Sequence, residues 1–243
     1  MRKGMMAVVL MWLVGCQSTA PKNNTLVETR LQLGLAYLAR GDLDAAQRNL
    51  QRALMLAPKD YRTQLAEARY QQQAGDKVQA ARYYQQALAL APKNAYVLNN
   101  YGAFLCRLGQ YDAAQSSFKQ AAKDSSPGAY TDSVENSGYC YLNAGQYGKA
   151  REGLIKAITA EPAKGILMLA EAERRFGKRK REDVRLLLDI YQHNFPASAE
   201  SLWLEIRFAV QEGRIADVEQ YGDQLARIFP HSIQYQHFLA NEY

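Results

Sequence analysis

Three cysteines and three histidines in 243 residues leave little with which to hold a metal, and their spacings match no zinc pattern. His231 and His237 lie six residues apart, off the i, i+4 spacing of a helical metal pair, and His193 falls just before Phe195-Pro196. The chain lacks a glycine-rich phosphate loop and a nucleophile elbow. Its carboxylate pairs, such as Glu171 and Glu173, stand two apart and so on different helix faces. These absences lead us to expect no catalysis, no cofactor and no small-molecule substrate. A large charge of one sign is also missing. The formal net charge is +6, or +4 (6 − 2) once Arg2 and Lys3 are set aside with an acid-free leader. A nucleic-acid binder would carry a basic stripe and a recognition motif, and neither is present. The apolar run at residues 5–14 is ten residues long, short of the roughly 20 that span a bilayer.

That run has another use. Preceded by Met1-Arg2-Lys3, it fits the h-region of a secretory signal. It ends in Leu13-Val14-Gly15-Cys16, which resembles the bacterial lipobox. The resemblance implies cleavage after residue 15 and acylation of Cys16. An ordinary cleavage after Ser18-Thr19-Ala20 is the competing reading, disfavoured by Pro21 beyond the scissile bond. Gln17, which is not the aspartate of a retention signal, implies sorting to the outer membrane, lipid-anchored and facing the periplasm. Residues 16–25 read as the acylated cysteine and a polar, flexible leash.

What the chain has in abundance is self-similarity. Proline recurs at Pro58, Pro92, Pro127, Pro162, Pro196 and Pro230, spaced by 34 or 35 residues, each at the end of a helical pattern. Gly41, Gly75, Gly109, Gly145, Gly177 and Gly213 mark the turn inside each unit. Ala46, Ala80, Ala114 and Ala150 follow the first four of these by five residues, and Ala53, Ala87, Ala121 and Ala157 come seven later. This resembles the tetratricopeptide signature, two antiparallel helices per 34 residues with small residues where helices approach. The expected fold is all-α, a right-handed superhelical array of about six tetratricopeptide helix pairs plus a C-terminal capping helix. Its units are 27–60, 61–94, 95–130, 131–164, 165–198 and 199–231, spanning 26–230 in all, with a cap at 232–243 carrying Ile233, Phe238 and Leu239. Val184 and Val218 replace the small alanine in the last two units, and Gly222 stands where an aromatic is expected, so looser packing is expected there. Tyr37, Tyr84, Phe104, Leu105, Phe118, Tyr141 and Leu154 are assigned to the core.

In such an array the first helix of each pair lines a groove. Register assigns to it Leu31, Leu35 and Leu38 in the first unit, and Arg62, Leu65, Arg69 and Gln72 in the second. Tyr96, Asn99, Asn100 and Ala103 follow in the third, and Glu135, Asn136 and Tyr139 in the fourth. Amides can satisfy a bound peptide backbone and tyrosines offer rigid contact area; the competing reading of Asn99 and Asn100 is polar surface or helix-start residues. A carboxylate clamp of the chaperone-tail kind is excluded, because Glu135 would repel its ligand. Cys106 and Cys140, 34 residues apart, occupy equivalent places on adjacent units. They are either a bridge between units three and four or two buried thiols. Lys178-Arg179-Lys180-Arg181 is the one dense basic run, read as a solvated loop or as a contact for anionic headgroups or an acidic partner.

Beyond the repeat, Leu98-Asn99-Asn100-Tyr101-Gly102-Ala103-Phe104-Leu105-Cys106 followed by Gly109-Gln110-Tyr111 is similar to the third repeat of the PilF/PilW type IV pilus biogenesis lipoproteins. The cysteine 34 residues on, the segment from Ala199 through Glu200-Ser201-Leu202-Trp203 to Arg207, and the order of parts resemble that family too. The resemblance implies a pilotin: a scaffold that takes a PilQ-like secretin subunit to the outer membrane for multimerisation, with binding residues in units one to three. A tetratricopeptide lipoprotein adaptor for cell-wall hydrolases or envelope assembly is the alternative.

Overall fold

The structure, a computed structural model, describes residues 20–243, with side chains from Asn24 onward. The signal segment, the lipobox and Cys16 lie outside the described residues. Thirteen α-helices and no strand occur among those described. They divide into two compact units, the first ending at Leu90 and the second running from Ala91 to Tyr243.

The first unit holds α1 (Ala20–Ala39), α2 (Leu43–Leu56), α3 (Tyr61–Ala74) and α4 (Lys77–Leu90), two helix pairs in sequence. Residues 20–25, expected as leash, already belong to α1. Pro21 is compatible with this because a first helical turn has no intrahelical partner for its N–H groups. Asp42 starts α2 by accepting from the Ala45 N–H at 3.0 Å. Val27, Leu31 and Leu38 of α1 share a cluster with Ala46, Leu50 and Ala53 of α2, and with Ala66 and Tyr70 of α3. A methyl group on Gly34 would overlap the Leu50 side chain, so glycine is what lets α1 and α2 approach.

The second unit continues with α5 (Ala95–Arg107), α6 (Tyr111–Ala121), α7 (Ala129–Asn143), α8 (Tyr147–Ala160), α9 (Lys164–Gly177), α10 (Arg181–Asn194), α11 (Ala199–Glu212), α12 (Ile215–Ile228) and α13 (Ile233–Leu239). The α5–α6 and α7–α8 pairs close on small residues: Ala114 and Ala150 are fully buried. A Cβ on Gly102 would lie 2.6 Å from the Phe118 ring, and one on Gly138 would lie 2.9 Å from Leu154. Phe118 and Leu154 are themselves at most 2% exposed, each worth about 1.5–3 kcal/mol of burial.

The six prolines all fall in connections between pairs, but one of the turn glycines does not mark its turn. Gly41, Gly75, Gly109, Gly145 and Gly213 all take positive φ, the left-handed conformation that glycine adopts without penalty. Gly177 ends α9 instead, and the equivalent position belongs to Arg179, at φ +56°. Counted to Arg179, the spacing from Gly145 and to Gly213 is 34 on both sides, so the repeat is more regular than the glycines alone indicate.

The last two pairs approach less closely than the first four, as their missing small residues lead one to expect, yet the space between their helices is filled. Val184 is 1% exposed and packs into the α8–α10 cluster. Gly222 leaves room for Phe238 of α13, whose ring occupies the space a side chain at 222 would need. In α13, which Ser232 caps through the Tyr235 N–H at 3.1 Å, Tyr235 and Phe238 pack against Leu202, Ile206 and Leu225. Ile233 and Leu239 stand exposed, because a helix of two turns presents only one face to the repeat beneath it.

Candidate partner-binding cleft

The groove residues expected from register separate into two groups. In the compact unit that ends at Leu90, Leu31, Leu38 and Leu65 are 5%, 3% and 2% exposed and belong to the core, not to the groove. The reason is geometric: Leu31 and Leu38 repeat with Val27 on the face of α1 that meets α2. Leu35 is half-buried against the same cluster. Arg62 is exposed but engaged, bonding Glu28 at 2.9 Å and Asp60 at 2.6 Å. Its guanidinium, with the Arg62 N–H, holds the Asp60 carboxyl below its usual range against the opposing effect of burial. Arg69 is half-buried, and Gln72 accepts from the Tyr84 hydroxyl at 3.2 Å.

In the second unit the assignment converges. Tyr96, Asn99, Asn100 and Ala103 of α5 and Glu135 and Asn136 of α7 line one cleft of about 340 Å³, together with Ser126, Pro127 and Asp132. Asn99 sits at its wall, 7% exposed, with an amide oxygen that has no hydrogen-bond partner among the described residues. A buried unmade acceptor costs about 1–3 kcal/mol, a cost that an incoming N–H would relieve. Asn100 instead donates to the Tyr96 carbonyl at 2.8 Å, and the Tyr96 ring stands 55% exposed at the rim. Tyr139, expected in the same groove, does not line it. Its hydroxyl is buried without a partner, and burial, with Glu135 and Glu171 nearby, pushes its ionisation well above the usual tyrosine range.

The residue that organises this cleft is one the sequence did not single out. Lys164, at the start of α9 and 5% exposed, donates to Asp132 and Glu135 at 2.7 Å each, with Glu161 at 3.8 Å. Burial alone would lower its pKa, but the bonds to the two carboxylates outweigh that and raise it. One ammonium thus serves two carboxylates, so this side of the cleft keeps a net negative charge. A second network ties α7, α9 and α10. Arg175, 4% exposed, bonds Glu171 at 2.6 Å and Asn143 at 2.9 Å, and also pairs with Asp183. Burial works to raise the Glu171 carboxyl, yet Arg174 and Arg175 bring it below its usual range.

Cys106 near the end of α5 and Cys140 near the end of α7 form a disulfide, with Cα atoms 5.8 Å apart. It joins the C-terminal ends of the two helices whose N-terminal halves frame the cleft. Among the described residues, no group of three or more histidines, cysteines or carboxylates is placed to hold a metal ion. No described helix is long and apolar enough to cross a membrane. The cleft offers amides, an aromatic rim and a pair of acids that share one ammonium.

The fold and cleft define a tetratricopeptide scaffold, a non-enzymatic protein-binding array. The tetratricopeptide repeat family matches residues 31–95 and 105–165, and a second tetratricopeptide description matches 83–116. The type IV pilus assembly protein PilF of Pseudomonas aeruginosa is 29% identical over 99% of both chains. A solved structure of P. aeruginosa PilF superposes with a TM-score of 0.61 at 30% identity, covering 90% of this chain and 99% of that one. PilW, described as a widely conserved type IV pilus biogenesis factor, superposes at 0.62 and 27% identity, over 89% of this chain and 99% of that one. The chain belongs to the PilF/PilW family of tetratricopeptide type IV pilus biogenesis proteins.

Proposed function

We propose that this protein is an outer-membrane lipoprotein that acts as a pilotin, a scaffold that localises the type IV pilus secretin and promotes its multimerisation. The observation that carries the reading is family likeness along 99% of the chain, joined to the lipobox ending at Cys16. Acylation at Cys16 anchors the chain in the inner leaflet of the outer membrane, each buried methylene contributing about 0.8 kcal/mol. The anchor raises the effective concentration of any secretin subunit the array holds there. The partner is a PilQ-like secretin subunit.

Within this reading the α5–α7 cleft receives a segment of the partner. The unpartnered Asn99 oxygen accepts a backbone N–H, and Tyr96 covers a side chain at the rim. Leu35, Arg62, Arg69 and Gln72 are the groove-assigned residues of the compact unit ending at Leu90 that keep some exposure. They form a secondary contact there.

The test is the state of the secretin in a deletion strain. Outer-membrane fractions are run without full heat denaturation, beside strains complemented with wild type, with Cys16→Ala and with Asn99→Leu. Multimers that vanish on deletion and return only with the acylated wild type uphold the pilotin reading, and failure of Asn99→Leu locates the contact. Untouched multimers, with altered wall cross-linking, replace it with an envelope adaptor.

A further inference from the structure

The turn between α9 and α10 differs from the other turns inside repeats. Where five of them place glycine at positive φ, it places Arg179, although that backbone region is one side chains disfavour. The next position, which in the first two repeats is an aspartate whose carboxylate accepts from the following helix (Asp42 and Asp76), is here Lys180 and makes no side-chain cap bond. The glycine position of the other five turns and the capping position of the first two are therefore both occupied by cations here.

Beside this turn lies a cleft of about 560 Å³. Its acids are already engaged: Asp183 pairs with Arg175, and Glu182 bonds Arg185 at 2.9 Å. So are several of its cations, Arg174 and Arg175 with Glu171, and Arg181 with Glu212 at 3.2 Å. Lys178, Arg179 and Lys180 remain. All three are exposed and have neither ion pair nor side-chain hydrogen bond among the described residues. Three uncompensated cations stand at the N-terminus of a 14-residue helix, whose free N–H groups add to the same potential.

We propose that this turn docks on the phosphate groups of an anionic phospholipid surface. The cations sit on long flexible stems at an exposed turn and do not converge on an enclosed point. That arrangement suits several phosphates in a plane better than one small ion in a socket. The proposal depends neither on the acyl anchor nor on the secretin, and its test removes both.

Residues 20–243 contain the thirteen described helices. The solved PilF chain, matched over 99% of its length by 90% of this one, shows that the equivalent part of a relative folds by itself. The chain from residue 20 is sedimented with vesicles of phosphatidylcholine alone, and with vesicles that also contain phosphatidylglycerol. Binding to the second and not the first, weakening with salt, is expected. Each cation brought to such a surface is worth roughly five-fold in binding, so the K178Q/R179Q/K180Q variant should lose about a hundred-fold. Arg179→Gly should bind more weakly while melting at the same or a higher temperature, because glycine suits the conformation that arginine holds there. Equal sedimentation with both vesicles overturns the proposal, as does binding that the triple variant retains, which would belong to the chain's general positive charge. Calorimetric binding of pyrophosphate, lost in the triple variant, without vesicle binding would assign the turn to a soluble phosphate and overturn the lipid assignment.

Discussion

Phe238 fills the space above Gly222, so the aromatic that the repeat pattern expects within α12 is supplied from outside the repeat, by α13. Gly222→Ala should therefore destabilise by about 1–3 kcal/mol through overpacking. In a Phe238→Ala background the same substitution should turn neutral or stabilising, since alanine is the better helix former. A double-mutant cycle by chemical denaturation measures the coupling. Additive effects would mean that the ring is not seated over residue 222.

Lys164 bridges two carboxylates of α7 from the first residue of α9, almost out of contact with water. Removing it leaves the Asp132 and Glu135 charges unanswered. Lys164→Ala should lower unfolding free energy by about 1–3 kcal/mol, chiefly through the part-buried Glu135, since Asp132 keeps its contact with water. Restoring charge balance with Asp132→Asn and Glu135→Gln in the same chain should recover a substantial part of the loss.

The disulfide closes a loop spanning 34 residues of sequence separation. Chain entropy assigns such a closure about 3–4 kcal/mol. Replacing Cys106 and Cys140 together with alanine should lower the denaturation midpoint accordingly, and added reductant should move the wild type toward the variant while leaving the variant unchanged.

Glu205 of α11 is 5% exposed, and burial pushes its carboxyl up from 4.5 to about 7, with Arg214 only partly opposing. A raised carboxyl pKa means that the folded chain holds its proton more tightly than the unfolded chain does. This contribution is fully present below about pH 4.5 and is lost as pH rises through about 7. At 1.36 kcal/mol per unit the loss reaches about 3 kcal/mol. Glu205→Gln, which never ionises, should show a flatter fall in stability between these pH values, measured by urea denaturation at each pH. A parallel pair of curves would remove Glu205 as the source.

The helical array was legible because its punctuation is local. A proline every 34 or 35 residues ends a pair wherever it falls, and glycine at a turn needs only its own backbone. Arg179 shows where that reading stops, since a left-handed residue that is not glycine leaves no mark in composition. The Asn99-Asn100 cleft could be placed by register because α5 and α7 repeat the same geometry. The first unit misled: Leu31, Leu38 and Leu65 are apolar on a face that could serve either groove or core, and contact with neighbouring helices decides it. Lys164 was invisible for a different reason. Its burial depends on Asp132 and Glu135, 32 and 29 residues earlier, and no local pattern connects them.

Arrays of this kind come apart by unzipping, each repeat held only by its neighbours. In the second unit, peeling that begins at α13 can proceed through α12 to α8 one element at a time. It then meets Cys140, which is welded to Cys106 two helices further back. A pull on the C-terminal end then passes through the bond to α5, and the closed loop between the two cysteines is spared the load. The chain can yield its last two and a half repeats to mechanical load while α5 and α7 stay tied at their C-terminal ends.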